Sequence, residues 1–427
     1  MKDKKMAIPY VHANTYLEQL LKERSQDELG EAMRPKPEVA SAPRIPRDHR
    51  ISQKMVEKRW ALFPHASVAR EQLLDPVTAE GMEAYQRNIE NFVGTVKVPV
   101  GIAGPLRVNG LFAQGDYYVP LATTEAALVA SYSRGAQLMT RAGGCTTLLL
   151  SEAVMRAPGF AFANLREAGA FVAWVVPQLD QFKAAAAKTT RHGELIDMQV
   201  TVEGNHVYLR FDFHTGDAAG QNMVTIATQA ICDYIQAHSP VAPSYFFLEA
   251  NMSGDKKASA QSFLSVRGKK VTAEVRLPGG LVKALLHTTP ERMVDYWRMS
   301  ALGGVLSGTI GVQGHYANGL AALYIACGQD AACVSESAVG VTRFELTEAG
   351  DLYASVTLPN LIVGTVGGGT SLPSQKAGLD LLGLAGAENS RAFAEVAAAT
   401  TLAGELSIIG ALCAGHFAHA HQQLARG

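Results

Sequence analysis

The spacing of apolar residues predicts an N-terminal helical region followed by a mixed domain. Between residues 51 and 91 apolar side chains recur at helical spacing, and Thr78 fits a helix N-cap. From Val93 to Leu106 β-branched residues alternate with glycine and proline, which predicts a strand that ends in a sharp turn. A helix rich in small residues is predicted next, from Glu125 to Met139.

The pattern changes between residues 158 and 247, where short helices and alternating strands follow one another. The predicted elements are a helix over Gln178–Lys188, strands over Ile196–Tyr208 and Tyr208–Phe213, a helix over Asn222–Ala237 and an apolar segment over Tyr245–Leu248. This order predicts a small α+β domain, residues 158–247, inserted into a larger domain formed by residues 93–157 and 248–427.

Two segments decide how the ends of the chain are interpreted. Residues 1–50 are rich in charge and proline, which predicts a linker or extended arm, and residues 1–92 together form the arm and helical region. No apolar run typical of a signal peptide follows the first charges. The apolar run from Val396 to Gly415 contains Glu405 and consists largely of small residues, so we expect a buried helix and not a membrane span.

Composition excludes several classes of protein. The 427 residues carry a formal charge of −1, with 48% hydrophobic and 18% charged residues, which argues against a basic nucleic-acid-binding protein and against disorder. The five cysteines are scattered and form no Cys-x-x-Cys pair, so neither a disulfide framework nor a structural zinc site is predicted. A reducing, cytoplasmic compartment is the expectation.

Two carboxylates stand inside apolar, small-residue stretches, where burial is costly unless the group is paired or used. Glu125 follows Leu-Ala-Thr-Thr, and its structural alternative is an acid at a helix N-terminus. Asp330 ends the run Ile-Ala-Cys-Gly-Gln, and its structural alternative is a helix cap or a satisfied core acid.

Basic and imidazole groups supply further candidates. Asp255, Lys256 and Lys257 lie on a glycine-containing loop that is either simply solvated or able to polarise a carbonyl and bind a carboxylate. His416 begins a His-x-x-His-x-His pattern near the end of the chain. No acid or cysteine stands nearby, so exposed helix histidines are favoured over a metal site, and no metal is predicted.

Two glycine-bearing stretches could contact an anion or a nucleotide. They are Thr215-Gly-Asp-Ala-Ala-Gly-Gln-Asn-Met and Gly364-Thr-Val-Gly-Gly-Gly-Thr370. The first lacks the Gly-Lys-Ser/Thr of a phosphate-binding Walker A loop, as does the second, and neither matches the dinucleotide fingerprint G-x-G-x-x-G. Tight turns would explain either stretch alone.

Seven stretches, taken together and in order, carry a family signature. They are Glu90-Asn-Phe-Val-Gly with Pro-Val-Gly-Ile-Ala-Gly-Pro-Leu106, Ala-Thr-Thr-Glu125, Gly-Asp217-Ala-Ala-Gly-Gln-Asn222-Met, Gly-Asp255-Lys-Lys257, Ile-Ala-Cys-Gly-Gln-Asp330, Gly364-Thr-Val-Gly-Gly-Gly-Thr370 and Ala-Gly-His416. The set resembles the catalytic portion of class I hydroxymethylglutaryl-CoA (HMG-CoA) reductases over about residues 88 to 421.

The resemblance implies a four-electron reduction of a CoA thioester to a primary alcohol, with mevalonate as the product. The cofactor implied is NADPH, with NADH as the alternative. Lys256 would stabilise the oxyanion at the thioester carbonyl, and Glu125 would donate a proton to the aldehyde oxygen. Asp330 would lie between them, keeping Lys256 protonated and favouring the protonated form of Glu125. His416 would protonate the departing CoA thiolate.

The resemblance also implies binding residues and an assembly. Substrate-binding residues would be Arg134, Arg156, Asn251, Asp255, Lys257, His315 and Asn318. Cofactor-binding residues would be Arg191, Asp217, Asn222, Gly367, Gly368 and Gly369. The implied α+β fold is a large helical domain around a central helix with an inserted ferredoxin-like cofactor domain, and the active sites lie at the interface of a homodimer.

Departures from the family pattern cluster around the acyl pocket. Glu249 stands where the family has a serine, so an acid lies where a substrate carboxylate would approach. Met299 and Ser300 replace a Lys-Asn pair. Two alternatives therefore stay open: a relative that reduces a different acyl-CoA thioester, and a catalytically idle nucleotide-binding protein on the same fold.

Overall fold

The computed structural model describes residues 10–265 and 267–415, and it confirms the mixed α+β class. The helices are α1 (Tyr10–Glu23), α2 (Gln26–Met33), α3 (Gln53–Trp60), α4 (Ser67–Leu73), α5 (Pro76–Glu80), α6 (Leu128–Arg141), α7 (Leu165–Val175), α8 (Leu179–Ala187), α9 (Gln221–His238), α10 (Gly279–Leu286), α11 (Pro290–Ser307), α12 (Tyr316–Ala326), α13 (Val334–Ser337), α14 (Pro373–Leu382) and α15 (Ser390–Cys413). The strands are β1 (Val100–Asn109), β2 (Gln114–Ala122), β3 (Cys145–Arg156), β4 (Gly159–Ala161), β5 (Glu194–Glu203), β6 (His206–His214), β7 (Tyr245–Phe247), β8 (Gly268–Leu277), β9 (Gly311–Val312), β10 (Gly340–Leu346) and β11 (Leu352–Leu361).

The N-terminal part is more helical than the sequence predicted. Residues predicted as an extended arm form α1 and α2, whose side chains contact no core, because the prolines that prevent a long helix begin only at Pro35. The prediction of Thr78 as an N-cap is wrong by three residues. Asp75 is the cap of α5, and its carboxylate accepts the Thr78 N–H at 3.1 Å.

Residues 159–247 form an antiparallel four-stranded unit in the order β7-β4-β6-β5, with α7 and α8 before β5 and α9 before β7. This is a β-α-β-β-α-β arrangement. A separate apolar core fills it and includes Phe160, Phe171, Phe182 and Phe211. Helices α8 and α9 and strand β7 agree with the prediction, whereas β4 and α7 were not predicted and the strand predicted over Ile196–Tyr208 is divided by the turn between β5 and β6. The domain boundaries themselves stay a prediction.

The larger part combines seven strands with α6 and α10–α15, so it contains more sheet than the expectation of a helical domain implied. Strand β3 links the two parts, since it pairs with β8 from Thr146 to Ala153 and with β6 from Val154 to Arg156. The strand predicted over Val93–Leu106 begins later, at Val100, and runs to Asn109. The helix predicted from Glu125 likewise begins later, at Leu128.

Helix α15 is the central helix of the larger part and is buried along nearly its whole length. Among the described residues it is the one helix long and apolar enough to span a membrane, and 83% of its most apolar window is buried within the fold. The prediction of a buried core helix is confirmed. Its two carboxylates, Glu395 and Glu405, are fully buried, and Glu395 accepts the backbone N–H groups of Leu111, Phe112 and Ala113 at 2.8–3.2 Å.

Candidate active site

Lys256 and Asp330 form an ion pair between two loops. The Lys256 Nζ lies 2.9 Å from Asp330 Oδ2. Asp330 follows α12, and its other oxygen, Oδ1, accepts the Ala332 N–H at 3.0 Å, which caps the short 3₁₀ helix Ala331–Cys333. One oxygen of the Asp330 carboxylate therefore caps the 3₁₀ helix, and the other pairs with Lys256.

The pair keeps both groups charged near neutral pH. The hydrogen bond from Lys256 to Asp330 raises the pKa of the ammonium above its ordinary value. Partial burial acts to raise the pKa of Asp330, but its hydrogen bonds to Lys256 and to the Ala332 N–H outweigh burial and lower it. An ammonium held in this way can stabilise a developing oxyanion without losing its own proton.

The Lys256 cleft, about 360 Å³ in volume, surrounds this pair. Its lining includes Asn222, Lys256, Asp330 and the loop Gly367–Gly369. The loop packs closely on the turn before Asp330, since a Cβ on Gly369 would lie 2.6 Å from the carbonyl oxygen of Gly328. Glycines leave the backbone of this wall open to a ligand, so the cleft can take an elongated polar molecule.

The Glu125 cavity, about 480 Å³ in volume, is a second concave site, lined by Glu125, Arg134, His315 and Asn318 together with apolar residues of α6 and α15. Asn318 donates its side-chain amide to Glu125, and Arg134 donates to the carbonyl of Ser407 at 2.9 Å. Burial lowers the pKa of Arg134. The cavity thus presents a carboxyl group, an imidazole and a guanidinium to one space.

Glu405 of α15 holds the wall of the Glu125 cavity from behind. Its carboxylate accepts the backbone N–H groups of Gly314 and His315 at 2.7 and 2.8 Å, and the hydroxyl of Thr342 at 2.7 Å. The His315 ring lies with Nδ1 3.2 Å from the same carboxylate and stacks on Tyr132. The turn that carries His315 is therefore fixed by a buried charge.

The two cavities have no lining residue in common within the described part of the chain. Asp330 contacts Lys256, whereas Glu125 contacts Asn318. The expected placement of Asp330 between Lys256 and Glu125 therefore stays a prediction.

Arg156 belongs to a charged cluster beside the Lys256 loop. Its Nη1 lies 2.9 Å from Asp255 and 3.3 Å from Glu249, and its side chain is 8% exposed. Glu249 also accepts the Asn251 N–H at 2.8 Å and the Ser253 hydroxyl at 3.0 Å. Glu249 therefore organises the loop that contains Asn251 and neutralises part of the Arg156 charge.

Three further predicted residues, Asp217, Arg191 and Lys257, do not line either cavity. The Asp217 carboxylate accepts the N–H groups of Glu388 and Ser390 at 2.8 and 3.1 Å and thereby caps the start of α15. Arg191 is exposed on the turn after α8, and the Lys257 ammonium donates to the Asp255 carbonyl at 2.9 Å. His416 and the rest of its histidine pattern lie outside the described residues. Residues 10–265 and 267–415 contain no group of His, Cys, Asp or Glu able to hold a metal ion.

Comparison with known proteins decides the family. The sequence profile of hydroxymethylglutaryl-coenzyme A reductase matches residues 53–426. The chain belongs to this family. A 3-hydroxy-3-methylglutaryl-coenzyme A reductase of Pyrococcus horikoshii is 43% identical over 384 residues, 88% of this chain and 91% of the relative. That of Haloferax volcanii is 45% identical over 81% of this chain and 86% of the relative. The resemblance inferred from the seven stretches is confirmed.

The fold is shared with reductases of the second class. The class II 3-hydroxy-3-methylglutaryl-CoA reductase from Streptococcus pneumoniae, solved bound to NADPH in open conformations, superposes with a TM-score of 0.63 at 21% identity. The match covers 85% of this chain and 97% of that chain. At this identity the likeness establishes a common reductase fold.

Sequence reasoning missed three residues that support the candidate groups: Arg267, Glu336 and Glu405. All three are fully buried and paired. Glu405 is an acid within an apolar run, and its presence there was interpreted only as evidence against a membrane span. Glu336 stands six residues after Asp330 in a stretch of small and apolar residues flanked by two serines, and this acid was not singled out from the sequence.

Proposed function

We propose that this reductase-family chain converts 3-hydroxy-3-methylglutaryl-CoA and two NADPH, with two protons, into mevalonate, free CoA and two NADP⁺. The observation that carries the proposal is the Lys256–Asp330 ion pair inside a glycine-walled cleft. Reduction of a thioester needs a fixed cation at the carbonyl oxygen, and a charge-paired ammonium supplies one. The product belongs to the mevalonate pathway.

The residues divide the proton transfers between them. Lys256 stabilises the oxyanion that forms as the thioester carbonyl is reduced, and the C–S bond then breaks. His416 protonates the CoA thiolate, and Glu125 gives its proton to the aldehyde oxygen in the second reduction. When bound, NADPH supplies the hydride for each of the two reductions. Asp330 keeps the Lys256 ammonium charged through both steps.

The Lys256 cleft fits a dinucleotide. Gly367, Gly368 and Gly369 contribute no side chains to its wall, and Asn222 offers an amide. Met223 lines the same cleft and contacts Thr190 and Gly193, which flank Arg191 on its turn. We assign the 2′-phosphate of NADPH to Arg191, whose guanidinium suits bidentate phosphate binding. The unit of residues 158–247 is then the cofactor domain, with Asp217 holding it to α15.

A homodimer would unite the two cavities. Because Glu125 and Lys256 line separate spaces in one protomer, we propose that the complete site forms between copies. Helix α11 supports this: Met299, Leu302, Val305 and Leu306 lie at helical spacing and are 67–88% exposed. Cytoplasmic localisation stays a prediction from cysteine usage.

One observation favours a second candidate, a family enzyme for another acyl-CoA thioester. Arg156 and Lys257 are the proposed partners of the substrate carboxylate, but Glu249 already contacts Arg156. An acid in this position repels a second carboxylate unless the loop rearranges. A thioester without that carboxylate would meet no such repulsion.

Absorbance at 340 nm during incubation of the purified protein with HMG-CoA tests the proposal. NADPH and NADH are compared, with acetyl-CoA as a thioester that lacks the second carboxylate. Turnover with HMG-CoA and NADPH supports the proposed function, and turnover with acetyl-CoA instead supports the second candidate. Tight NADPH binding without turnover of either thioester supports an idle nucleotide-binding protein.

A further inference from the structure

Lys256 occupies a backbone conformation that needs external support. Its φ is 56°, in the left-handed region that residues with a side chain rarely adopt. Such a conformation persists only where surrounding contacts determine it, and it is found most often at functional positions. In this conformation its ammonium lies 2.9 Å from Asp330.

A buried ion pair contacts the backbone at this point. Glu336 of α13 accepts the Lys256 N–H at 3.1 Å through Oε1, and its Oε2 lies 2.6 Å from Arg267 Nη1. Both side chains of the Arg267–Glu336 pair are fully buried. A buried charge that accepts a backbone N–H makes a stronger hydrogen bond than a neutral acceptor.

Arg267 extends the support to the preceding residue. Its Nη2 lies 2.6 Å from Asp255 Oδ1, so one guanidinium binds a carboxylate of the loop and a carboxylate of α13. Arg267 is itself fixed at the start of β8, where its backbone N–H donates to Asn360 at 2.9 Å. The planar fork of arginine holds two carboxylates in one geometry, which a lysine cannot do.

We propose that Glu336 is a positioning residue for Lys256, and that Arg267 and Glu336 together set the loop so that the Lys256 ammonium meets Asp330. The proposal rests on the reductase activity proposed above. Neither residue contacts the space of the Lys256 cleft, so both act through Lys256. Hydrogen bonds and ion pairs thereby connect three separate segments, residues 255–256, 267 and 330–336, around the position of the Lys256 ammonium.

Glu336→Gln tests this with little change in volume. In the wild type one oxygen of Glu336 accepts the Lys256 N–H and the other pairs with Arg267. A carboxamide has only one acceptor oxygen, so one of these two donors would lose its partner. We expect kcat for HMG-CoA to fall by roughly tenfold to a hundredfold, because small displacements of a reacting group are costly, while KM for NADPH changes less than about threefold. Hydrogen–deuterium exchange should rise in the peptide covering residues 251–258.

The matched control is Glu395→Gln, which also alters a fully buried glutamate that accepts backbone N–H groups, but at a hairpin distant from Lys256. It should lower the melting temperature without changing kcat or exchange at 251–258. In a Lys256→Ala background, Glu336→Gln should cause no further loss of kcat. Equal losses of kcat in both glutamine variants, or an additive loss in the Lys256→Ala background, would overturn the proposal.

Arg267→Lys provides a second route if Glu336→Gln does not fold, and it should show the same loss of kcat and the same local exchange. If the unaltered protein does not reduce HMG-CoA, the proposed function fails, and exchange at residues 251–258 alone then decides the positioning role. Unchanged exchange in a folded Glu336→Gln or Arg267→Lys protein contradicts it.

Discussion

Asn318 donates its side-chain amide to both carboxylate oxygens of Glu125, at 3.2 and 3.0 Å. The carboxyl group is thereby aimed into the Glu125 cavity, where Arg134 and His315 also lie. An amide that spans both oxygens fixes the orientation of the group. The orientation of Glu125 and the presence of its acid group can be tested with separate variants.

Glu125→Gln removes the acid and keeps the shape. We expect kcat to fall on the order of a hundredfold to ten-thousandfold, the range typical of a general acid, with little change in the KM for NADPH. The NADPH assay with HMG-CoA measures this. Asn318→Ala is the companion variant and should lower kcat less, since it removes the amide that orients the group and leaves the acid in place. Full activity of Glu125→Gln would remove Glu125 from the mechanism.

Asp330→Asn should change the pH dependence of the reaction. In the wild type the hydrogen bond to Asp330 raises the pKa of Lys256, so the ammonium persists to higher pH than usual. Without the carboxylate that pKa falls, and the alkaline limb of the kcat profile moves to lower pH. The unfolding free energy should change by less than about 1 kcal/mol, because the two side chains are 43% and 40% exposed. An unmoved alkaline limb contradicts the pairing.

Arg191→Ala should alter the choice of cofactor. Loss of a guanidinium that binds the 2′-phosphate raises the KM for NADPH by about tenfold and leaves the KM for NADH unchanged. Lys188→Ala, which removes a neighbouring exposed cation at the end of α8, should alter neither value by much. If both cofactors respond equally to Arg191→Ala, another residue binds the phosphate.

Leu306→Glu should separate the protomers. Leu306 is 88% exposed on α11, and a charge placed in an apolar interface carries a large desolvation cost. Light scattering coupled to size-exclusion chromatography should then report a monomer with strongly reduced activity, because each site needs groups from two copies. Val77→Glu, at an equally exposed apolar position on α5, serves as the control. An active monomer would contradict the interfacial site.

Two glycine-to-alanine substitutions should change stability in opposite directions. A Cβ on Gly135 of α6 would lie 1.9 Å from the carbonyl oxygen of Ala403, so we expect Gly135→Ala to lower the unfolding free energy by about 1–3 kcal/mol. A Cβ on Gly169 of α7 would have no atom within 4 Å. Gly169→Ala should therefore raise the unfolding free energy by about 0.5–1 kcal/mol. Chemical denaturation of both variants measures the contrast. Equal effects would mean that α6 and α15 are not in close contact.

The sequence pattern predicted helices and strands correctly where short-range preferences decide the structure. The predicted helix over Asn222–Ala237 differs from α9 by one residue at each end. Thr78 failed as a cap because Asp75, three residues earlier, offers a carboxylate, and a proline follows it at the first helical position. Helices α1 and α2 were missed because the charge and the prolines of residues 1–50 favoured an extended arm, and neither helix contains a buried residue.

Four of the seven sequence stretches contribute residues to one cleft, as the family resemblance led us to expect. Asn222, Lys256, Asp330 and the Gly367–Gly369 loop do meet in one cleft. That Glu125 lines a different cavity could not be foreseen, since it depends on how distant segments of the chain pack together. Arg267 and Glu336 act through tertiary contacts spanning 69 residues, and no local pattern records such a pairing.

Helix α15 limits how this enzyme can be varied. Glu395 binds the backbone of the β1–β2 hairpin, and Glu405 binds the backbone of the turn that bears His315. The two glutamates are about 15 Å apart along the helix axis. A shift of the helix by one residue would displace both attachments at once, so its sequence tolerates few independent changes. Libraries that aim to alter the acyl group should therefore leave α15 untouched and diversify Glu249 and its loop.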